Sequence, residues 1–176
     1  MIMNPDESAF EVMIQYNLEP ELFSPALLQR FCQHLKKLGI SQYPVHIELE
    51  TGMHRLGFNA EDLDSLIEIL KTDQIKIQSV FSHLVASEDQ GQDEFTKEQA
   101  TRFINMANRI ESVLTYKVIK HIANTSGISR HPQLQMDMVR LGIGLYGVDR
   151  DKSNLVEVST LRSTVAQVKK IKSTDT

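Results

Sequence analysis

The sequence predicts an α/β fold in which parallel strands are joined by crossover helices. Strand-like and helix-like segments alternate along it, and the helical stretches carry their own start and stop residues. The most telling segment is 45–58, VHIELETGMHRLGF. Val45, Ile47 and Leu49 alternate with His46, Glu48 and Glu50, so a period of two puts aliphatic residues on one face and ionisable groups on the other. A parallel strand covered on both sides normally fills both faces with aliphatics. The charged face therefore marks either a solvent-facing antiparallel strand or a site.

The elements follow in order. Ile2 and Met3 read as the end of a strand that runs into the turn residues Asn4, Pro5 and Asp6, as in a chain whose N-terminus is truncated. Residues 8–15 form a short helix, and 18–23 a short strand interrupted by Pro20. Ser24 caps the next helix with Pro25 at its first position, and Leu27, Leu28, Phe31, Leu35 and Leu38 make one apolar stripe that stops at Gly39. Residues 45–50 are a strand. Asn59 caps a helix with Leu63, Leu66, Ile67 and Leu70 on one side, Glu61 and Asp62 at its positive end and Lys71 at its negative end. Residues 75–83 are again a strand. Thr96 and Gln99 read as a capping box before a long helix with Phe103, Ile104, Ala107 and Ile110 inward. Residues 117–123 and 138–143 complete the strands. This order fits an open doubly wound sheet or a closed barrel, which sequence period does not separate. Residues 1–150 form the first domain, 151–154 a polar linker, and 155–176, strand-rich and without helix, the beginning of a second, β domain.

Composition narrows the function classes. Of 176 residues, 41% are hydrophobic and 24% charged, which suits one sizeable soluble core, and the net charge of -4 advertises neither nucleic acid nor an anionic membrane. Cys32 is the single cysteine, so no internal disulfide or cysteine-based zinc cluster forms, and a reducing, cytoplasmic setting is expected. No apolar run reaches the roughly 18 residues that span a bilayer.

Chemistry in a parallel barrel sits where strands end, with phosphate commonly on the loops after the last two strands. Here the penultimate strand runs into Asn124, Thr125, Ser126 and Gly127, and the last carries Arg140, Gly142 and Gly144. Glycines two apart open backbone N–H groups to an anion, or simply relieve crowding at a strand end. His83 ends its strand with Ser82 before it and Glu88 and Asp89 after it. A metal site from His46, Glu48, Glu50, His83 and His121 is disfavoured, because no His-x-His pair or HExxH helix is present and Arg55 would repel a cation.

Three segments together resemble the alanine racemases. VHIELETGMHRLGF is similar to the stretch around that family's TGMxRxG motif, SVFSHLVASEDQ to its strand ending in histidine, and HIANTSGISRHPQLQMDMVRLGIGLYGV to its HxANSA and DMVRxGIxLYG motifs. The resemblance implies an incomplete TIM-type (β/α)8 barrel, about strands 3 to 8, followed by the start of a β domain. It also implies pyridoxal 5'-phosphate as cofactor, alanine as substrate for cell-wall peptide supply, and a homodimer in the intact enzyme. By position, Arg140 would face the pyridine nitrogen. Thr125, Gly142 and Ile143 would cradle the phosphate beside Asn124. Arg55 would lie near the phenolic oxygen, and His83 would line the ring. No metal is implied.

Glu48 stands where many members carry a lysine modified to a carbamate. It is expected to supply the same negative charge and to hold Arg55 by a charge-assisted hydrogen bond. The family's Schiff-base lysine, in a motif resembling KANAYGHG, does not occur here, and Lys120 does not match it. The catalytic tyrosine also has no counterpart, and Tyr146 does not match it. The resemblance thus implies a chain inactive alone, with unpaired backbone where two strands are absent and poor solubility or a compensating partner as the result. A related racemase or decarboxylase of the same barrel family, or a non-catalytic cofactor-binding fragment, is the alternative.

Overall fold

The computed structural model describes residues 1–149 and 155–174. In chain order its elements are α1 (Phe10–Gln15), β1 (Glu21–Leu22), α2 (Pro25–Leu38), β2 (Tyr43–Glu48), α3 (Leu63–Leu70), β3 (Ile75–Phe81), α4 (Asp93–Glu111), β4 (Ile119–His121) and α5 (Thr125–Arg130). The strands lie side by side in that same order and every pair is parallel, as right-handed strand–helix–strand crossovers require.

Local chemistry places the helices. Ser24 Oγ accepts the Leu27 N–H at 3.3 Å, and Gly39, at φ 66°, ends α2 in the left-handed conformation. Leu27, Leu28, Phe31 and Leu35 are buried, while Leu38, expected in the same stripe, is half exposed in the fraying last turn. Asn59 and Asp62 form a reciprocal cap on the turn that leads into α3.

The long helix departs from expectation. It starts at Asp93, after a 3-10 turn at Gln90–Gln92 whose cap is the Asp89 carboxylate, accepting the Gly91 N–H at 3.0 Å. Thr96 and Gln99 are not its capping box. Gln99 is fully buried, its Oε1 accepting the Val85 N–H and its Nε2 donating to the His83 carbonyl, each at 3.1 Å. A part-buried loop backbone needs such partners more than an exposed helix end does. Ile104 lies off the stripe of Phe103, Ala107 and Ile110 and is 40% exposed rather than inward.

Two further stations extend the sheet. At the free edge of β1, Ile2 bridges Pro20 in parallel, with Ile2 N–H to Glu19 carbonyl at 2.7 Å and Glu21 N–H to Ile2 carbonyl at 2.9 Å. At the free edge of β4, Asp137 N–H reaches the Lys120 carbonyl at 3.2 Å and Arg140 N–H the Ala123 carbonyl at 3.0 Å. Residues 138–143, expected as a strand, are therefore extended but form no ladder; the chain turns into a 3-10 helix at Ile143–Tyr146. Six parallel stations result, the number expected for strands 3 to 8 of a barrel, and the fold is a partial α/β barrel.

Residues 155–174, expected to be strand-rich, form no strand. Their alternating apolar side chains, Val156, Val158 and Leu161 among them, are exposed, and Val158 N–H to Tyr146 carbonyl at 3.3 Å is the tie they make to the barrel among the backbone bonds described. A strand pattern without a neighbouring strand has nothing to pair with. The linker expected at 151–154 lies outside the described residues. Among the described residues no helix is long and apolar enough to cross a membrane.

The two faces of the sheet differ. Leu22, Val45, Ile47, Ile77 and Val80 face the helices in the apolar core. Glu21, His46, Glu48, Ser79, Phe81 and His121 share the opposite, inner face, kept in step by a register shift between Val45 and His46. The period-two pattern of 45–50 thus belongs to a barrel lumen, not to a wet strand.

Gln99→Leu should lower stability by about 1–3 kcal/mol, because it removes the buried amide that partners the Val85 N–H and the His83 carbonyl of a part-buried loop. Urea denaturation measures this; an unchanged midpoint would contradict the assigned role.

Candidate cofactor site

The loop after β4 is organised by Asn124. Its Oδ1 accepts the Gly127 N–H at 2.9 Å and the Ser87 hydroxyl at 2.7 Å, and its Nδ2 donates to the Leu84 carbonyl at 3.3 Å. The amide that resembles a cofactor-binding residue therefore spends its polar groups joining two loops, although it also borders the cavity. Thr125 Oγ1 accepts the N–H groups of both Gly142 and Gly144 at 3.1 Å. A Cβ on Gly144 would stand 2.7 Å from Thr125 Cγ2, so the close approach requires glycine there. On Gly142 a Cβ would meet nothing nearer than Thr125 Oγ1 at 3.7 Å, which leaves open space beside the hydroxyl.

That space is a cavity of about 470 Å³ lined by His83, Glu88, Asn124, Thr125, Ser126, Gly142, Ile143, Val148 and Asp149. Two carboxylates border it, so an anion there must be held by directed O–H and N–H donors rather than by net positive charge.

Arg140 is not in this lining but stands near His83, which is. Its Nη1 donates to His121 Nδ1 and, at 3.2 Å, to the His121 carbonyl; its Nη2 donates to the Ser82 carbonyl at 2.6 Å. The guanidinium sits 5.1 Å from the Phe81 ring centre, and Phe81 stacks flat on His121 at 5.0 Å. Burial, then the Arg140 cation, then His46, hold the His121 imidazole down at about 3. Burial and the cations of Arg140 and Arg55 likewise lower His83. Burial also pulls on Arg140, opposed by Glu48 and Glu21, but a guanidinium keeps its proton. With these bonds three of the five guanidinium N–H groups are used, and two are left for a ligand.

Glu48 and Glu21 lie together on the inner face, both almost fully buried. Burial first, then its neighbour Glu21, push Glu48 up to about 8, against the opposing pull of Arg55 and Arg140. Glu48 Oε2 and Glu21 Oε1 are each buried without a hydrogen-bond partner. The hydrogen bond expected between Glu48 and Arg55 is not formed. Glu50, not Glu48, shapes the loop that carries Arg55: its carboxylate accepts the Gly52 N–H and, at 2.7 Å, the His54 N–H. Arg55 is exposed and borders a separate depression with Phe23, Ser24 and Leu56.

Thr125, Gly142, Ile143, Asn124 and His83 thus converge on one cavity with Arg140 behind it, while Arg55 does not join them. Several residues of the site were not foreseen. Glu21 sits in the apolar run LEPELF, Ser79 between aliphatics, and Gln99 in a helix; each owes its place to a long-range neighbour that sequence period does not reveal. Thr51 and Ser82, whose hydroxyls bond at 2.7 Å, tie the TGM segment to the end of β3. Lys120 is engaged elsewhere, its Nζ 2.7 Å from Glu111, and Tyr146 is exposed. Among the described residues no group of three or more His, Cys, Asp or Glu is arranged to hold a metal.

The family model for the alanine racemase N-terminal domain matches residues 1–150. The alanine racemase of Carboxydothermus hydrogenoformans is 32% identical over 167 residues, covering 92% of this chain and 45% of that protein. An alanine racemase structure from Clostridium difficile superposes with a TM-score of 0.76 at 30% identity, over 87% of this chain and 41% of the other. The Bartonella henselae enzyme, described with covalently bound pyridoxal phosphate, gives 0.72 at 28% identity, over 88% and 44%. The chain spans less than half the length of these relatives. Fold, inner-face site and sequence likeness agree, and the chain belongs to the alanine racemase N-terminal domain family.

Proposed function

We propose that this chain is the greater part of the cofactor-holding barrel of a cytoplasmic alanine racemase, which as an intact homodimer interconverts L- and D-alanine with pyridoxal 5'-phosphate. The observation that carries this reading is the convergence on one cavity of the Thr125 hydroxyl, the backbone around Gly142 and Ile143, and His83, whose imidazole feels the held guanidinium of Arg140. Thr125 Oγ1 has accepted two N–H groups and keeps its own O–H to donate, so it suits a phosphate oxygen. The open space beside Gly142 is where such a group fits.

When bound, the cofactor supplies the electron sink that loosens the Cα proton of the amino acid. Arg140 would meet the ring nitrogen as a donor that does not give up its proton. A guanidinium there would leave the ring nitrogen without a proton of its own and so would disfavour transamination. His83, held neutral, would line the ring without adding charge. Glu48 and Glu21 share the inner face with Arg140 and oppose the pull of burial on its guanidinium. Proton transfer at Cα needs a base on each side. Lys120 and Tyr146 are not placed for it, so both bases come from parts of the intact protein outside this chain, and residues 155–176 belong to its β domain.

Thr125→Val should weaken binding of pyridoxal phosphate by about tenfold, on the order of 1.4 kcal/mol, while leaving the weaker binding of unphosphorylated pyridoxal unchanged. Equilibrium dialysis of both ligands checks this. Equal loss for both, or no loss for either, would move the phosphate away from Thr125.

The raised Glu48 carboxyl also makes stability depend on pH. A carboxyl whose folded value lies above its ordinary 4.5 contributes stability that is complete below that value and lost as pH rises toward about 8. Glu48→Gln should flatten the fall in urea midpoint across that window. A fall of the same slope in the variant would show that Glu48 does not hold the proton.

A further inference from the structure

Behind Arg140 the inner face carries an unbroken file of polar groups that the cofactor cradle does not use. His121 Nε2 lies 3.0 Å from Ser79 Oγ, Ser79 Oγ lies 2.6 Å from His46 Nδ1, and His46 Nε2 lies 2.8 Å from Glu19 Oε2. Each group stands on a different extended segment, from the run before β1 across β2, β3 and β4 to the run after Asp137. Ser79 and His121 are buried, and Glu19 is 38% exposed.

Hydrogen-bond chemistry gives this file one direction. A guanidinium only donates, so His121 Nδ1, which meets Arg140 Nη1, must be the bare nitrogen and the ring proton must sit on Nε2. That proton is donated to Ser79 Oγ. The serine hydroxyl, having accepted there, gives its single proton to His46 Nδ1, which must be bare in its turn. The His46 proton is then on Nε2 and is donated to the Glu19 carboxylate. A charged His46 would donate to Ser79 from the other side, leaving the serine proton without its acceptor and the file broken in the middle.

We propose that Glu19, His46 and Ser79 are positioning residues for Arg140, forming with His121 a directional hydrogen-bond relay that fixes the orientation of the guanidinium from a carboxylate at the barrel surface. Burial favours the neutral state of both rings. His46 is lowered chiefly by burial, with Glu19 and Glu21 opposing and the chain's amino terminus adding slightly; His121 faces Arg140 and His46. What the relay does for a cofactor rests on the reading of Arg140 given above, but the relay itself does not.

Side-chain 15N NMR of the full chain tests it without cofactor. At neutral pH, His46 and His121 should each show a protonated Nε2 and a bare Nδ1. Glu19→Ala, at a partly exposed position, should convert His46 to a mixture of tautomers, and Glu19→Gln, which keeps an acceptor, should restore the single form. Ser79→Ala should shift the His121 Nε2 signal and uncouple it from any change at Glu19. An Nδ1-protonated or charged ring in the unaltered chain, or a His46 tautomer indifferent to Glu19→Ala, would overturn the relay. If the tautomers are as stated and pyridoxal phosphate still fails to bind, the relay stands and the cofactor reading falls.

Discussion

The arrangement of this barrel depends on how Arg140 is held. One guanidinium joins the last extended run to the ends of β3 and β4, using the Ser82 and His121 carbonyls and the His121 ring as acceptors. Both carbonyls sit at or just past the last residue of a parallel strand, where the His121 carbonyl has, among the described residues, only the Ser82 N–H, at 3.4 Å, as its backbone partner. Satisfying them with a cation does two things at once. It closes the sheet edge around residues 137–140, where no full ladder forms, and it fixes a positive charge next to the cavity. The flat stack of Arg140, Phe81 and His121 stiffens the same corner.

The cavity is built by the same economy of partners. Asn124 spends its amide joining loops so that Thr125 begins α5 in one place, and Thr125 then collects two backbone N–H groups from the opposite loop. Gly144 permits the approach and Gly142 leaves the space open. An anion in that space is met by directed donors although Glu88 and Asp149 also line it. The phosphate ester proposed for that space would be selected by geometry more than by charge.

Much of this was legible in the sequence. The caps at Ser24 and Asn59 and the period-two face of 45–50 fixed elements because each is a local matter of chain stereochemistry. The Asn124–Thr125 and Arg140–Gly142 segments were readable because they carry special residue types at strand ends. Long-range satisfaction was not. Gln99 looks like a helix cap until the loop 83–85 beside it is known, and Glu21 looks like an interruption of an apolar strand until Glu48 is seen next to it. The expected bond between Glu48 and Arg55 is missing for a related reason: Glu48 and Glu50 share one face in sequence, but only Glu50 bonds the loop. Residues 138–143 have the composition of a strand, yet a strand needs a ladder, and here the chain is held by two backbone bonds and a guanidinium.

The central claim is that this chain holds the cofactor but supplies no lysine to bond with it. Visible absorption titration with pyridoxal phosphate, followed by borohydride reduction and intact mass measurement, tests it most directly. Saturable binding with no specific reduced adduct is the predicted result. A single stoichiometric adduct on one lysine would contradict the claim, and it would mean that a lysine of this chain reaches the cavity.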